Sequence, residues 1–388
     1  MVHILEHSVD LQFPLGDGIH CLIAQIPNRL HMEDRLFKLI DPDDQRNVIR
    51  SVVDLAASHD ADDQLHFLVL PESSVPYSHL EELIETIGDR FSQNTVAIFG
   101  LEHITLLQYM ALMERHAEDN EDSLAMVRQA KTKSDRDKPV NLCATVIKER
   151  SGRVRCFFSA KTHPFAGEES VDHGFDLFRG KSFLLFRCEP MTFNFMPLIC
   201  FDYVYRDLNS SNIMAIIEMA NDMYARQRQE LDLLVVIQCN PKPEHKVFRD
   251  VATGFYGEHL FKTPGVRDTI TVFVNTSEET ELAGSFEKNA FGYSYILCGI
   301  RHKLPRIKLS EFRTDDFHGS SVSRLRFGQA TRIYTTRIFP HHETDPRSSR
   351  AMLKVTGVYY PAPGPAWLRI KGDDLVMGVS DEDQSTDW

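Results

Sequence analysis

Apolar and polar positions in the first hundred residues follow two alternating patterns. Short apolar runs of β character, each ended by a proline or a glycine, predict strands over residues 20–26, 65–70 and 96–99. Apolar residues at helical spacing predict helices over residues 41–58 and 79–87, the first with an Asp-Pro start. This order of β, α, β, α, β predicts an α/β protein whose helices cover the outer faces of its sheets. A four-layer α-β-β-α sandwich is one such arrangement.

The rest of the chain divides into segments of different pattern. Residues 101–138 are helical in pattern and highly charged, which predicts an insertion. Strand patterns then continue to about residue 300, with one helix over residues 212–228. These predicted strands cover residues 141–148, 153–159, 183–188, 193–199, 231–237, 270–275 and 293–297. Residues 1–300 are therefore predicted to form the main domain. Residues 301–388 are predicted to be an irregular extension for interaction or oligomerisation, ending in a disordered acidic tail.

Composition and charge argue against several classes of protein. Acidic residues outnumber basic ones by 56 to 43, and the net charge of -13 argues against a general nucleic-acid binder. No apolar run approaches the roughly 20 residues that cross a bilayer, and the polar N-terminus does not fit an export signal, so a cytoplasmic location is expected. The seven cysteines are scattered and never spaced as Cys-x-x-Cys, so neither a disulfide framework nor a metal site is expected.

Three reactive side chains follow apolar strands, namely Glu72, Lys161 and Cys200. Strand ends on a rigid sheet are common places for functional sites. A thiol needs a base or a nearby positive charge to become a nucleophile, and Glu72 and Lys161 are candidates for these two groups. Attack on an amide or nitrile carbon creates negative charge, which Lys161 and the backbone N–H of Phe201 can stabilise. A dyad of Cys200 and His163 is the alternative, but it leaves the other two residues without a role.

The same residues lie in segments that resemble the nitrilase superfamily of carbon–nitrogen hydrolases. That family is marked, in chain order, by a Pro-Glu segment after a strand, a Lys ahead of a His-Leu-x-Pro-Phe-Gly-Glu-like stretch, and a Cys in an Ile-Cys-Tyr-Asp-like segment. This sequence reads Val-Leu-Pro-Glu72, Lys161-Thr-His-Pro-Phe-Ala-Gly-Glu168 and Pro-Leu-Ile-Cys200-Phe-Asp202. All three segments agree in order, and their spacing agrees once the insertion is removed.

The resemblance covers residues 19–300 and implies the four-layer sandwich, with no cofactor. It implies hydrolysis of a non-peptide C–N bond in a small amide or nitrile through a thioester at Cys200, with Glu72 and Lys161 as its catalytic partners. It also implies a homodimer or a larger homo-oligomer. Acyl transfer to an amine would use the same residues. A catalytically degenerate subunit that keeps the fold for interaction or assembly is the alternative from another class.

Further residues are assigned a place by the same resemblance. Glu168 resembles the family's second glutamate, which orients the substrate or the catalytic lysine. Asp202 resembles the residue of amidase-type members, which favours an amide substrate, and it also suits a helix N-cap. Phe201 and Asn240 are expected beside the substrate. The Pro-Gly pair at residues 264–265 breaks a helix that the family carries, so no particular substrate is predicted.

Overall fold

The structure is a computed structural model. It describes residues 2–14, 17–131, 135–165, 168, 176–190, 193–207, 211–224, 229–255, 257, 263–282, 291–299, 312–317, 322–339 and 353–370. These residues form a mixed α/β fold with three β-sheets, which confirms the α/β class predicted from the sequence. None of their helices combines the length and the apolar character needed to cross a membrane.

The strands are, in chain order, β1 (His3–Val9), β2 (Ile19–Gln25), β3 (Arg29–Glu33), β4 (Leu36–Leu39), β5 (Phe67–Val69), β6 (Thr95–Thr105), β7 (Pro139–Lys148), β8 (Val154–Ala160), β9 (Ser182–Cys188), β10 (Phe193–Ile199), β11 (Leu233–Ile237), β12 (Ile270–Val274), β13 (Glu281–Leu282), β14 (Tyr295–Gly299), β15 (Arg313–Phe317), β16 (Val322–Arg326), β17 (Arg332–Ile338), β18 (Leu353–Pro361) and β19 (Trp367–Arg369). The α-helices are α1 (Pro42–Asp62), α2 (Leu80–Arg90), α3 (Leu106–Arg115), α4 (Ala117–Ala130), α5 (Phe201–Val204), α6 (Asn212–Tyr224) and α7 (Lys246–Gly254).

Two of the sheets have eight strands each. Sheet 1 has the spatial order β1-β9-β10-β11-β12-β14-β16-β15, and sheet 2 has the order β19-β18-β17-β2-β5-β6-β7-β8. The third sheet is small and joins β13 to the hairpin of β3 and β4, which the sequence did not reveal. Parallel pairing joins β10, β11 and β12 in sheet 1, and β2, β5 and β6 in sheet 2. The carboxyl ends of parallel strands meet at one edge of a sheet, where ligands commonly bind.

The two large sheets pack against each other through aromatic side chains. Phe67 of β5 meets Phe195 of β10 edge-on, with ring centroids 5.3 Å apart. Phe157 of β8 and Phe186 of β9 meet in the same way at 5.0 Å. One apolar core joins these rings to buried side chains of α6, and a second core joins sheet 2 to α1, α2, α3 and α4. The two large sheets therefore pack against each other and against helices.

The first helix begins where the sequence predicts. The side chain of Asp41 accepts a hydrogen bond from the backbone N–H of Asp44 at 3.0 Å, and Pro42 occupies the first helical position. Ile49 and Val52 are buried on the face that packs against sheet 2. The helix predicted over residues 41–58 is therefore confirmed, and it continues for one further turn.

The segment predicted as a helical insertion contains α3 and α4. Its first residues extend β6, and Thr105 then caps α3 in a capping box. Asn120 of α4 donates to the backbone oxygen of Cys156 at 2.8 Å and accepts from the backbone N–H of Phe158 at 2.9 Å. Both of these residues lie on β8, the edge strand of sheet 2. Helix α4 therefore satisfies polar backbone groups that an open sheet edge would expose.

Beyond residue 300 the chain is not irregular where the structure describes it, which corrects the prediction. β15 and β16 complete one end of sheet 1, while β17 pairs with β2 and continues sheet 2 towards β18 and β19. These strands are hidden in the sequence because arginine and threonine occupy many of their positions, so no apolar run stands out. The acidic tail lies outside the described residues, and a role of residues 301–388 in oligomerisation stays a prediction.

Candidate active site

The three residues predicted to carry the chemistry lie at the ends of strands from both large sheets. Glu72 follows β5, Lys161 follows β8 directly, and Cys200 follows β10 directly. Their exposed fractions are 3%, 0% and 6%, so all three are removed from bulk water. Buried charged side chains are rare in proteins unless they are paired, and the lysine of this cluster pairs with two carboxylates.

Lys161 lies between two carboxylates. Its Nζ is 2.9 Å from Oε1 of Glu72 and 2.8 Å from Oε2 of Glu168. Burial alone favours the neutral amine, but the charges of Glu168 and Glu72 raise the pKa of Lys161 well above its usual range. The side chain is therefore a fixed ammonium ion in a dry site, where a charge acts more strongly on a neighbour than it does in water.

Asn141 of β7 joins the same two carboxylates from a second direction. Its Nδ2 donates to Oε1 of Glu72 at 2.7 Å and to Oε1 of Glu168 at 2.6 Å. Its backbone oxygen also accepts from the backbone N–H of Lys161 at 2.8 Å. Asn141 therefore fixes the distance between the two glutamates, and it also fixes the position of the backbone at Lys161.

Glu168 has partners beyond Lys161. Nε2 of His103, on β6, is 3.4 Å from Oε1 of Glu168, and the backbone N–H of Phe165 donates to Oε2 at 3.1 Å. Burial alone would raise the pKa of Glu168, but Lys161 and His103 lower it to about 2. This carboxylate therefore stays ionised. It lies beside Lys161, which it would orient according to the resemblance.

The backbone N–H of Cys239 and the side chain of Asn28 hold Glu72 in place. Its Oε2 accepts from the backbone N–H of Cys239 at 2.7 Å, and its backbone oxygen accepts from Nδ2 of Asn28 at 2.8 Å. A Cβ atom at Gly100 would lie 2.5 Å from Cα of Glu72, so only glycine lets β6 approach so closely. The carboxylate therefore contacts groups that follow β8 and β11, namely Nζ of Lys161 and the backbone N–H of Cys239.

Cys200 occupies a sharp turn between β10 and the short helix α5. Its backbone has φ 43° and ψ −101°, a conformation that costs a residue with a side chain about 1–3 kcal/mol. Its backbone N–H donates to the oxygen of Ile237 at 2.8 Å, which ties the turn to β11. A strained strand-to-helix turn of this kind presents its side chain at the edge of a sheet, as the nucleophile of many hydrolases requires.

The thiol of Cys200 is protonated in the resting protein. Burial and the charge of Glu72 raise the pKa of Cys200 well above its usual range, and Lys161 offsets only part of this effect. Thiolate formation therefore needs a proton acceptor at the moment of attack. Glu72 interacts electrostatically with this thiol, and it is the carboxylate that the sequence assigns to that role.

Phe201 and Asp202 lie in the first turn of α5 and have different environments. The first N–H groups of a helix have no acceptor within the helix, so the Phe201 amide can serve a substrate oxygen. Asp202 accepts from the backbone N–H of Thr162 at 3.0 Å, from its hydroxyl at 2.7 Å and from the backbone N–H of His163 at 2.9 Å. Asp202 thereby ties the turn at Cys200 to the segment that begins at Lys161.

The contacts of His163 do not make it a partner of Cys200. Its ring contacts the Thr162 hydroxyl and Asn212 and stacks on Tyr205 with ring centroids 3.4 Å apart, and its Nδ1 lies 4.0 Å from Oδ1 of Asp202. Burial and the charge of Arg179 lower the pKa of His163 to about 4. The alternative Cys/His dyad therefore finds no support in these contacts.

Asn240 lies at the end of β11, one residue after Cys239. Its backbone N–H and oxygen both bond to the side chain of Asn275, at 2.8 and 3.0 Å. Its Oδ1 accepts from the backbone N–H of Lys242 at 2.8 Å, while its buried Nδ2 has no partner among the described residues. A substrate oxygen is one group that this donor suits, and the assignment of Asn240 to substrate binding stays a prediction.

Three members of the cluster were missed from the sequence, namely Asn141, His103 and Cys239. His103 carries a signal, because it interrupts the long apolar strand β6. Cys239 follows an apolar strand as Cys200 does, so the same strand-end rule selects it. Among the described residues, no group of three or more His, Cys, Asp or Glu side chains is arranged to hold a metal ion.

The comparisons with known proteins identify no relative for this cluster. No protein-family model matches the chain, and no curated protein matches it significantly. Support for a function therefore comes from the residues of this chain and their geometry.

Burial of Asp202 predicts a pH-dependent stability. Burial raises the pKa of Asp202 to about 7, in spite of its hydrogen bonds from Thr162 and His163. The folded protein then holds the proton of Asp202 more tightly than the unfolded chain does. The bound proton therefore stabilises the fold fully below about pH 4, and this contribution is lost as the pH rises from about 4 to about 7. We expect Asp202→Asn to flatten that part of the pH dependence of the free energy of unfolding, measured by urea titration. The exposed Asp44→Asn is the control, and an equal change in both variants would contradict the prediction.

Proposed function

We propose that the chain is a carbon–nitrogen hydrolase that cleaves a small amide through a thioester at Cys200. The observation that carries the proposal is the position of Lys161, a buried ammonium between Glu72 and Glu168. Such a cluster has an unfavourable desolvation energy, and proteins retain perturbed charges of this kind most often at functional sites. The strained turn at Cys200 supports the same conclusion.

The proposed fold is the four-layer α-β-β-α sandwich of the nitrilase superfamily. Support comes from the packing of two eight-stranded sheets against each other, with helices packed on each of them. The order of Glu72, Lys161, Glu168 and Cys200 along the chain also agrees with that family.

The first half of the proposed reaction forms the thioester. Glu72 accepts the thiol proton as Sγ of Cys200 attacks the amide carbon, so an S–C bond forms and the carbonyl oxygen becomes an oxyanion. Lys161 and the Phe201 N–H stabilise that oxyanion. When the intermediate collapses, the C–N bond breaks and Glu72 returns its proton to the departing nitrogen, which leaves as ammonia or an amine.

The second half regenerates the thiol. Glu72 accepts a proton from water, and the oxygen of that water attacks the thioester carbon. The S–C bond then breaks, and the sulfur of Cys200 takes the proton back from Glu72. The sum of both halves is an amide and water converted to a carboxylic acid and an amine, without a cofactor. An amine that replaced water in this half would make the protein an acyltransferase.

The second glutamate keeps the site charged throughout the proposed cycle. Glu72 becomes neutral twice, and at those moments Lys161 loses one of its two anionic neighbours. Glu168 stays ionised and in contact at 2.8 Å, so the ammonium keeps a partner. Asn141 bonds to both carboxylates and holds their separation while the charge on one of them changes.

An amide substrate and self-association complete the proposal. Asp202, at its place after the nucleophile, favours an amide over a nitrile by resemblance to amidase-type members. A homodimer or a larger homo-oligomer is proposed on the same resemblance.

The proposed base is tested by the alkylation of cysteines with chloroacetamide, followed by mass spectrometry between about pH 5 and pH 9. Because Glu72 can accept the thiol proton, we expect Cys200 to react fastest of the seven cysteines at neutral pH. A positioned base contributes about 100-fold or more, so Glu72→Gln is expected to slow Cys200 by that order. In that variant the rate should rise steadily with pH, because the thiol must then ionise by itself.

The matched control for this experiment is Glu149→Gln. Glu149 is also buried, but it bonds to Asp10 and Arg155, away from the cluster. Its replacement should leave the alkylation rate of Cys200 unchanged. If Cys200 is inert in the folded protein and neither substitution matters, the thiol belongs to the core, and the fold serves interaction or assembly.

A further inference from the structure

A cavity of about 190 Å³ lies between α1 and α2, apart from the cluster of Glu72, Lys161 and Glu168. An apolar cavity of about 150 Å³ is enough to hold a small organic molecule such as benzene. The space between these helices is therefore large enough for a ligand with a short apolar body. It is open to solvent on one side, so a ligand has a path into it.

The walls of the cavity are apolar. Ile49 and Val53 of α1 face Leu83 of α2 across it, and Val75 closes it from the segment between β5 and α2. All four side chains are buried and belong to the core that joins sheet 2 to its helices. Such a surface favours a hydrocarbon group and gives a fully solvated ion no partner.

The rim of the cavity carries more basic than acidic side chains. Arg46, Arg50, His79 and Arg90 lie along it, together with Glu82. Arg46 pairs with Glu82 at 2.6 Å, and Arg90 pairs with Asp54.

Two of these guanidinium groups keep donors that no acceptor uses. Arg50 has no ion-pair partner in the part of the chain that the structure describes. Nε of Arg46 is buried and has no acceptor there either. Both arginines belong to α1, one helical turn apart, and both line the cavity.

We propose that this cavity is a binding site for a small amphipathic carboxylate, a linear or cyclic acid whose apolar body fills the space between α1 and α2. The carboxylate accepts hydrogen bonds from Arg50 and Arg46, because a guanidinium presents paired donors that match the two carboxylate oxygens. The apolar body covers Val53 and Leu83. Binding at this site does not depend on the proposed hydrolase activity, since none of the residues at Cys200 takes part.

The test uses hexanoate as the probe and measures its affinity for the full chain by a ligand-detected NMR titration. Acetate has the charge without the apolar body, and 1-hexanol has the apolar body without the charge. We expect hexanoate to bind at least about tenfold more tightly than either. Arg50→Gln is expected to weaken hexanoate about tenfold, because it removes a charged donor that makes no ion pair with any described residue.

A second variant and a control complete the test. Thr86→Phe places a ring in the cavity from the partly exposed face of α2. It should abolish hexanoate binding although every arginine is kept. Arg128→Gln removes an exposed arginine of α4 that pairs with Glu114, and it should change nothing. Equal binding of hexanoate by wild type, Arg50→Gln and Thr86→Phe overturns the proposal. Binding of inorganic phosphate as tight as that of hexanoate would also overturn the proposal, because the apolar walls would then have no part in recognition.

Discussion

We expect Lys161→Met to lower the free energy of unfolding by about 3–5 kcal/mol. Methionine has nearly the length of lysine, so the change removes a charge and leaves little empty space. Two buried carboxylates, on Glu72 and Glu168, then lose the cation that lies within 2.9 Å of both. One or both must take up a proton, so the loss of stability should be larger at high pH than at low pH.

Urea titrations of wild type and Lys161→Met measure this loss, with Lys38→Met as the matched control. Lys38 also pairs with a buried carboxylate, that of Glu102, but at 3.6 Å and with part of its side chain exposed. Glu102 keeps hydrogen bonds from two backbone N–H groups, so this control should cost about 1 kcal/mol or less.

A second substitution shows whether the charges themselves cause the loss. Glu168→Gln removes one of the two anions, so it should restore part of the stability when combined with Lys161→Met. Full stability of Lys161→Met on its own would mean that the charged cluster is not formed as described.

Cys200→Ala and Cys200→Gly are both expected to abolish the proposed amide hydrolysis, lowering turnover by at least about four orders of magnitude. The order of their free energies of unfolding should be the reverse of the usual order for alanine and glycine. Glycine normally destabilises a regular structure by about 0.5–1 kcal/mol relative to alanine. At Cys200 the backbone has φ 43°, which glycine adopts freely, so we expect the glycine variant to be the more stable by about 1 kcal/mol.

Ammonia release from a panel of amides measures the activity, and urea titration measures the stability. Cys143 is the control for the backbone effect, because it is a buried cysteine within the regular strand β7. There alanine should be more stable than glycine. The same order at both positions would show that the turn at Cys200 is not strained, and retained hydrolysis in either Cys200 variant would remove it as the nucleophile.

Much of the candidate site was predictable because reactive side chains at strand ends are visible in the local sequence pattern. Glu72, Lys161 and Cys200 each follow an apolar run, so the sequence shows both the strand and the residue beyond it. Their order along the chain and the spacing from Lys161 to Glu168 also allow the resemblance to a hydrolase family to be recognised. The start of α1 is local in the same sense, since Asp41 and Pro42 cap the helix that they precede.

Two residues that complete the cluster, His103 and Asn141, were not predictable in this way. His103 lies inside β6 and Asn141 inside β7, and neither position follows a strand end. What places them at Glu168 is the antiparallel pairing of two strands, which depends on register and not on the identity of one residue. Cys239 reaches Glu72 through its backbone N–H, a group that every residue except proline carries.

The amino-acid sequence by itself determined the α/β class, the first helices and the strand ends that carry Glu72, Lys161 and Cys200, because these depend on periodicity and on neighbours within a few positions. Only the tertiary structure decided which groups meet. It joined Lys161 to Glu168 and Glu72, and it joined strands near the two ends of the described chain. Thr336 of β17, for example, bonds to Cys21 of β2 across 315 positions. Partners so distant are selected by the packing of whole sheets, which no local pattern records.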